Sequence, residues 1–132
     1  MAKLHVVALG ARLRGWAAAA REDYLRRMPR GYEVALAPRP PRGARVVALD
    51  ERGREFTTRQ FAAQLARWLA EPAPLAFVIG GPDGLDEKLR RDAAQLMRLS
   101  ALTLPHALAE VVLVEQLYRA ATLLTGHPYH RD

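Results

Sequence analysis

The chain has no cysteine. That excludes a disulfide framework, a thiolate nucleophile and any zinc or iron–sulfur centre built on Cys. Histidine is scarce, four residues scattered along the sequence, and no metal centre is expected. No apolar run approaches the ~18 residues that a membrane span requires. The opening apolar stretch, Leu4 to Leu9, is too short for a secretory leader and lacks a clear cleavage site, so a cytoplasmic protein is expected. Lysine is nearly absent as well: Lys3 and Lys88 are the only two, and the other 18 of the 20 basic residues are Arg. Against 14 acidic residues they leave a formal charge of +6. Arg binds phosphate through two parallel hydrogen bonds and stacks on bases. The surplus therefore permits a nucleic-acid partner, although a genome with biased codon use also enriches Arg.

Half of the 132 residues are hydrophobic and 26% are charged, which fits one folded domain over residues 1–132 with a sizeable core. Strand and helix signals alternate. Leu4 to Leu9, stopped by Gly10, reads as a buried strand. Trp16, Ala20, Tyr24 and Met28 recur at fourfold spacing and predict one apolar face of a helix that ends at Pro29. Tyr32 to Leu36 is a short second strand and Ala44 to Asp50 a third. Between them lies Pro38-Arg39-Pro40-Pro41-Arg42-Gly43, which is extended because its prolines forbid a helix. Thr57 and Gln60, three apart, form a capping box for a helix whose stripe is Phe61, Leu65, Trp68 and Leu69. Leu75 to Ile79 is the most apolar strand. A charged helix is expected over residues 86–97, a last strand over Leu99 to Leu104, and a long helix from about Ala107 to Leu124. This alternation predicts an α/β domain with a mostly parallel sheet. Ligands on such sheets bind beyond the C-terminal ends of the strands, which directs attention to Leu49, to Gly80-Gly81 and to Leu104-Pro105.

Three segments carry candidate chemistry, each with a plainer reading beside it. Gly80-Gly81-Pro82-Asp83-Gly84 is either a tight turn or a place where a ligand approaches backbone closely. It lacks the Gly-Lys-Ser/Thr of a phosphate loop, and Pro82 removes an N–H that a pyrophosphate cradle needs. Leu99-Ser100-Ala101-Leu102-Thr103-Leu104 is either a core strand or a loop that bonds an adenine edge while Leu102 and Leu104 pack on its faces. His127, Tyr129, His130 and Arg131 crowd the C-terminus. They form either a frayed polar tail or a set of groups for proton transfer and phosphate binding. Glu110 and Glu115 lie near Arg119, and a surface ion pair between Glu115 and Arg119, four apart, is expected there.

In combination, FVIGGPDGL, LSALTLPHALAEVVLVEQLYRA and the closing HPYHRD resemble the RlmH-type methyltransferases of the SPOUT superfamily in order and spacing. The opening strand and Tyr24-Leu25-Arg26-Arg27 are similar to that family's N-terminus. The resemblance covers most of the chain and is strongest from Leu75 to Asp132. It implies an α/β fold with a C-terminal trefoil knot and a homodimer. It also implies transfer of a methyl group from S-adenosylmethionine to N3 of a pseudouridine in 23S ribosomal RNA on the assembled ribosome. The cofactor pocket it implies comprises Leu49, Gly80, Gly81 and the run Leu99, Ser100, Ala101, Leu102, Thr103 and Leu104. The tail positions it implies are His130 and His127 as candidate bases, Tyr129 to bond or stack on the acceptor, and Arg131 on phosphate; the individual roles follow from side-chain chemistry. Methyl transfer needs no metal. One departure stands out. The family carries a longer, Lys-rich helical stretch between the second and third strands, where this chain has only seven residues, 38–44. Either these stretch across the sheet or the second strand loses its standard pairing. The departure also leaves two alternatives: a SPOUT enzyme acting on another RNA, and a non-catalytic ribosome-binding protein that keeps the fold.

Overall fold

The computed structural model describes residues 3–10 and 12–130, with His130 through its backbone only. Five strands and four helices follow one another as β1 (Leu4–Ala8), α1 (Gly15–Arg26), β2 (Val34–Ala37), β3 (Arg45–Glu55), α2 (Thr58–Ala70), β4 (Leu75–Ile79), α3 (Glu87–Asp92), β5 (Gln95–Arg98) and α4 (His106–Thr125). A single 3-10 turn, Pro128–His130, closes the described chain. The strands form one sheet in the order β2-β1-β4-β3-β5, and every pairing is parallel.

The central strand β4 is buried along its whole length, as expected of a strand with both faces covered. On one face Leu4, Val6, Val47, Phe77 and Met97 pack with Phe61, Leu65 and Trp68 of α2 and with Leu113, Val114 and Leu117 of α4. Phe61, Trp68 and Phe77 meet edge-on at centroid distances of 5.9–6.0 Å. Thr57 caps α2 in the expected box: its hydroxyl accepts from Gln60 N at 3.1 Å, and the Gln60 amide oxygen accepts from Thr57 N at 2.9 Å. The opposite face is thinner. Val7, Ala48, Ala76 and Val78 are covered there by Leu85 and partly buried side chains, among them Leu89 of α3.

The short link of residues 38–44 crosses this thinner face. Its flanking alanines, Ala37 and Ala44, pack with that cluster. β2 keeps its pairing, with Leu4 opposite Val34 and Val7 opposite Ala37, so the loss of standard pairing does not occur. The link must pass β1 and β4, about 14 Å sideways, and return along a strand of about 13–16 Å. Seven fully extended residues would reach about 23–25 Å; the link is not stretched throughout, because Ala44 N donates to Pro41 O at 3.1 Å and closes a turn over Arg42-Gly43. Ala48 and Ala76 beneath it leave room for bare backbone where a larger face would need a helix.

Three expectations fail locally. First, residues 86–97 are not one helix. α3 stops at Asp92, and Gln95–Arg98 is a strand beside β3. Leu89, Ala93, Leu96 and Met97 satisfy a helical spacing as well as a strand, and the open edge of β3 decides between them. Second, Leu99 to Leu104 is a loop. Ser100 Oγ accepts from Leu102 N at 2.9 Å, and Leu102 is 78% exposed. Third, Trp16 is not on the buried face of α1 but 65% exposed, and Ala17 is buried in its place. The buried stripe runs through Ala17, Tyr24, Leu25 and Met28, with Arg21 among them facing α4.

Candidate functional site

β3 is longer than its apolar run, because it contains a bulge. Met97 of β5 lies opposite both Leu49 and Arg54, and the residues between those two loop outward. Gly53 sits in this loop because any Cβ there would overlap the Met97 backbone. The bulge, the loop after β4 and the loop after β5 enclose one cleft of about 710 Å³ beyond the C-terminal ends of β4, β3 and β5. That volume is typical of a small-molecule site.

Leu49, Gly80, Gly81, Leu99, Ser100, Leu102, Thr103 and Leu104 all line this cleft, although the sequence scatters them over 56 positions. Ala101 belongs to the same loop but does not line it. Asp50, Arg90 and His106 line it as well. Leu102 is the largest exposed apolar side chain on its rim.

The glycines serve the wall itself. Gly84 N donates to Gly81 O at 2.9 Å, closing a turn with Pro82 at its second position and Gly84 at φ +78. A Cβ on Gly80 would lie 2.6 Å from Gly84 C, and one on Gly81 would lie 3.1 Å from Gly10 Cα. Neither points into open cleft space. The tight-turn reading of this segment holds: close backbone packing is what presents bare backbone to the cleft.

Asp50 escaped the sequence reading. Its carboxylate is only 4% exposed, and it accepts from Arg90 Nε at 2.6 Å and from Arg52 N at 2.8 Å. Burial pushes its pKa up, but the bonds from Arg52 N and Arg90 outweigh that and hold it below the usual carboxylate value. Asp50 thereby ties the β3 bulge to α3. The signal available in sequence was an acid directly after the apolar run of β3, at the end where ligands bind.

The tail lies elsewhere. α4 ends at Gly126, φ +76, the left-handed conformation that glycine favours. Tyr129 then folds back onto α4 and α1. Its ring meets Tyr118 edge-on at 4.6 Å, its hydroxyl donates to Glu115 Oε2 at 3.1 Å, and the guanidinium groups of Arg119 and Arg27 lie over it at 4.9 and 5.6 Å. Burial first, then bonding with Tyr24 and the charge of Glu115, push the phenol pKa well above its ordinary value. The Glu115–Arg119 pair, 2.8 Å apart, is thus a half-buried seat for the tail and not a surface pair. Glu110 does not join it: Glu110 is 3% exposed and pairs with Arg21 of α1 at 2.8 Å. His127 is exposed and accepts from Tyr129 N at 3.2 Å. The His130 side chain and Arg131 lie outside the described residues. Neither His127 nor Tyr129 lines the cleft. Among the described residues no group of three or more His, Asp or Glu is placed to hold a metal ion, and no helix is long and apolar enough to cross a membrane.

A parallel sheet with a glycine-turned cleft at its strand ends defines an α/β domain with a candidate small-molecule site, since ligands of such sheets lie beyond the C-terminal strand ends. Comparison with known proteins sharpens this. The family described as "Predicted SPOUT methyltransferase" matches residues 32–130, and the chain belongs to that family. It is 47% identical over 146 aligned positions to a protein of Polynucleobacter asymbioticus named "Ribosomal RNA large subunit methyltransferase H", covering 98% of this chain and 99% of that one. A protein of the same name from Thiobacillus denitrificans is 44% identical over 155 positions, with the same coverage. A third, from Polynucleobacter necessarius, is 48% identical over only 134 positions, so a chain about as short as this one occurs among the relatives. A solved structure of a probable methylase family protein from Haemophilus influenzae superposes with a TM-score of 0.65 at 13% identity, over 99% of this chain and 71% of that one. It supports the fold.

Proposed function

We propose that this single-domain protein methylates N3 of a pseudouridine in 23S ribosomal RNA on the assembled ribosome, as a cytoplasmic homodimer of knotted protomers using S-adenosylmethionine. The observation that carries the reading is the convergence of Leu49, the glycine turn and the 99–104 loop on one cleft, in a chain nearly half identical over its length to proteins named "Ribosomal RNA large subunit methyltransferase H".

The cleft suits the donor chemically. Leu49, Leu99, Leu102 and Leu104 supply apolar surface for an adenine, and the bare backbone of residues 80–84 lets a ribose approach. α4 begins at the cleft with Pro105 as an N-cap that makes no side-chain bond, so its first N–H groups suit a carboxylate. When bound, S-adenosylmethionine supplies an electrophilic methyl group on a cationic sulfur. The chain's own work is then to hold the acceptor nitrogen in line with that methyl and to remove one proton. Orientation alone is worth several kcal/mol, up to about 7–11. His130 takes the N3 proton, with His127 as the alternative base. Tyr129, kept neutral by its raised pKa, donates to or stacks on the base, and Arg131 holds phosphate. S-adenosylmethionine held in this cleft would supply the methyl group that N3 accepts, and the N3 proton would leave on the histidine. Because Tyr129 is seated away from the cleft of its own protomer, the tail serves the cleft of the second copy.

Calorimetry with S-adenosylmethionine tests the site, with one site per chain expected. Mass mapping of ribosomal RNA from a deletion strain tests the substrate: the large-subunit pseudouridine should lose its methyl group. Retention of that methyl group, or absence of binding heat, would overturn the reading.

A further inference from the structure

A second crevice of about 460 Å³ opens beyond the C-terminal ends of β1 and β2. It adjoins the cofactor cleft: Gly10 lines the crevice, Gly81 lines the cleft, and a Cβ on Gly10 would come within 2.8 Å of Gly81 Cα. On α4, Ala109 borders one space and Glu110 the other. Resting on the RNA-methyltransferase reading, we propose that the rim of this crevice, lined by Arg12 and continued along the chain from its lining residues Leu13 and Pro38 by Arg14, Trp16 and Arg39, docks a single-stranded stretch of the substrate RNA, with Trp16 as the platform for an unpaired base.

Two acid-free stretches of the chain meet at this rim. The first acidic residue is Glu22, after Arg12, Arg14 and Arg21; between Glu33 and Asp50 come Arg39, Arg42 and Arg45 and no acid. The fold brings them together because β1 and β2 pair in parallel, so Gly10, Arg12 and Leu13 emerge at the same end as Ala37-Pro38. Arg12, Arg14 and Arg39 are exposed and make no ion pair with any described residue. Elsewhere the arginines of this protein are largely tied down, as Arg21, Arg27, Arg90 and Arg119 show. Leu13, 8% exposed, anchors the segment, and its neighbours Arg12 and Arg14 face outward. Trp16 follows in the first turn of α1 at 65% exposure, in a helix whose buried face passes through Ala17. Unpaired guanidinium groups beside an exposed aromatic ring are the combination that grips unstacked RNA, through phosphate contacts and base stacking. The only acid in the crevice, Glu110, is neutralised by Arg21 on its floor.

The test uses the full-length protein in three forms: wild type, Trp16→Ala and Trp16→Phe, with the double variant Arg12→Ala/Arg14→Ala alongside. Binding of a short single-stranded oligoribonucleotide is read from intrinsic fluorescence and anisotropy. Methylation is read from radiolabelled S-adenosylmethionine on ribosomes that lack the modification. Trp16→Ala should weaken RNA binding and raise KM for ribosomes at least about fivefold. Affinity for S-adenosylmethionine and sedimentation should stay unchanged, and Trp16→Phe should recover most of the loss. Removing both arginines should lower the salt slope of RNA binding by about 1.4. Unchanged ribosome KM and RNA affinity in Trp16→Ala would overturn the proposal. So would a shift of that variant to a monomer, which would assign the surface to a second copy of the chain. A wild type that neither binds RNA nor methylates ribosomes would instead overturn the function it rests on.

Discussion

The cleft at the strand ends and the C-terminal tail belong to one chain but are built in opposite ways. The cleft wall is backbone. Glycines turn it, a Pro-Asp-Gly turn closes it, and a buried carboxylate, Asp50, ties the bulge of β3 to α3. The tail is side chain. A phenol, Tyr129, is clamped by Tyr118, Arg27, Arg119 and Glu115 against two helices. The wall is fixed by contacts that tolerate no added atom, whereas the tail is held by contacts that each contribute little. Binding a donor of fixed shape needs the first kind. Carrying a candidate base to the cleft of a second copy, as proposed above, would need the second, because such a group must remain free to re-seat.

If that division is correct, variants in the two regions separate binding from turnover. The largest effect is expected at His130. In His130→Ala, turnover should fall about 10²–10⁴-fold, with S-adenosylmethionine affinity nearly unchanged. Calorimetry beside a single-turnover assay reads both, and an equal loss of both would make the tail part of the pocket. The next effect is at the wall. Gly80→Val places a Cβ 2.6 Å from the Gly84 carbonyl carbon, so the loop must move. Affinity should fall more than about tenfold, with about 1–3 kcal/mol of stability lost to overpacking. Gly81→Val acts by the same displacement, pressing on Gly10 and Leu9 before it occupies any cofactor space. A normal binding isotherm in either variant would show that the glycine turn is not part of the site.

Much of this architecture was legible in the residues, and the misses have a common cause. β1, β4 and α2 were readable because period, capping and breakers agree over them: Thr57 and Gln60 cap α2, and Pro72 and Pro74 follow it. The stretch after Asp86 was misread because Leu89, Ala93 and Met97 fit a helix as well as a strand, and only the free edge of β3 settles it. Leu99 to Leu104 looked like a strand because apolar residues alternate there, but no strand lies beyond β5 to pair with it. Trp16 fitted the wrong stripe by one position, an error of about 100° on a helix. The cleft residues were found through the ends of strands, whereas Asp50 and the pairing of Glu110 with Arg21 depend on a bulge and on a helix contact across 89 positions. Local pattern does not encode such contacts.

A smaller effect, and a sharper test of the wall, is expected at Asp50. Asp50→Asn removes the buried partner of Arg90 and leaves it only the exposed Glu87, 3.0 Å away, which should cost about 1–3 kcal/mol and weaken donor binding severalfold. Because the folded carboxyl pKa lies below its unfolded value of about 3.9, the stabilisation is fully present above pH ~4 and is lost as pH falls through the folded pKa. Wild-type stability, followed by circular dichroism as pH is lowered, should therefore decline more steeply below pH ~4 than that of Asp50→Asn, which has no carboxylate there to protonate. Identical acid limbs would detach Asp50 from the stability of the wall.

The smallest effect belongs to the tail. Tyr129→Phe keeps the ring on Tyr118 and beneath the arginines but deletes the bond to Glu115. About 0.5–1.5 kcal/mol should be lost, read as a modest fall in Tm. The pH dependence identifies the cause. The folded phenol pKa is raised by burial first, and then by Tyr24 and Glu115, so its contribution is complete below the unfolded value of about 10 and disappears as pH rises through the folded one. Wild-type stability should thus decline in alkali more steeply than that of Tyr129→Phe, which has no proton to lose. Parallel alkaline limbs would mean that the ring alone seats the tail and that the hydroxyl is free for the acceptor base.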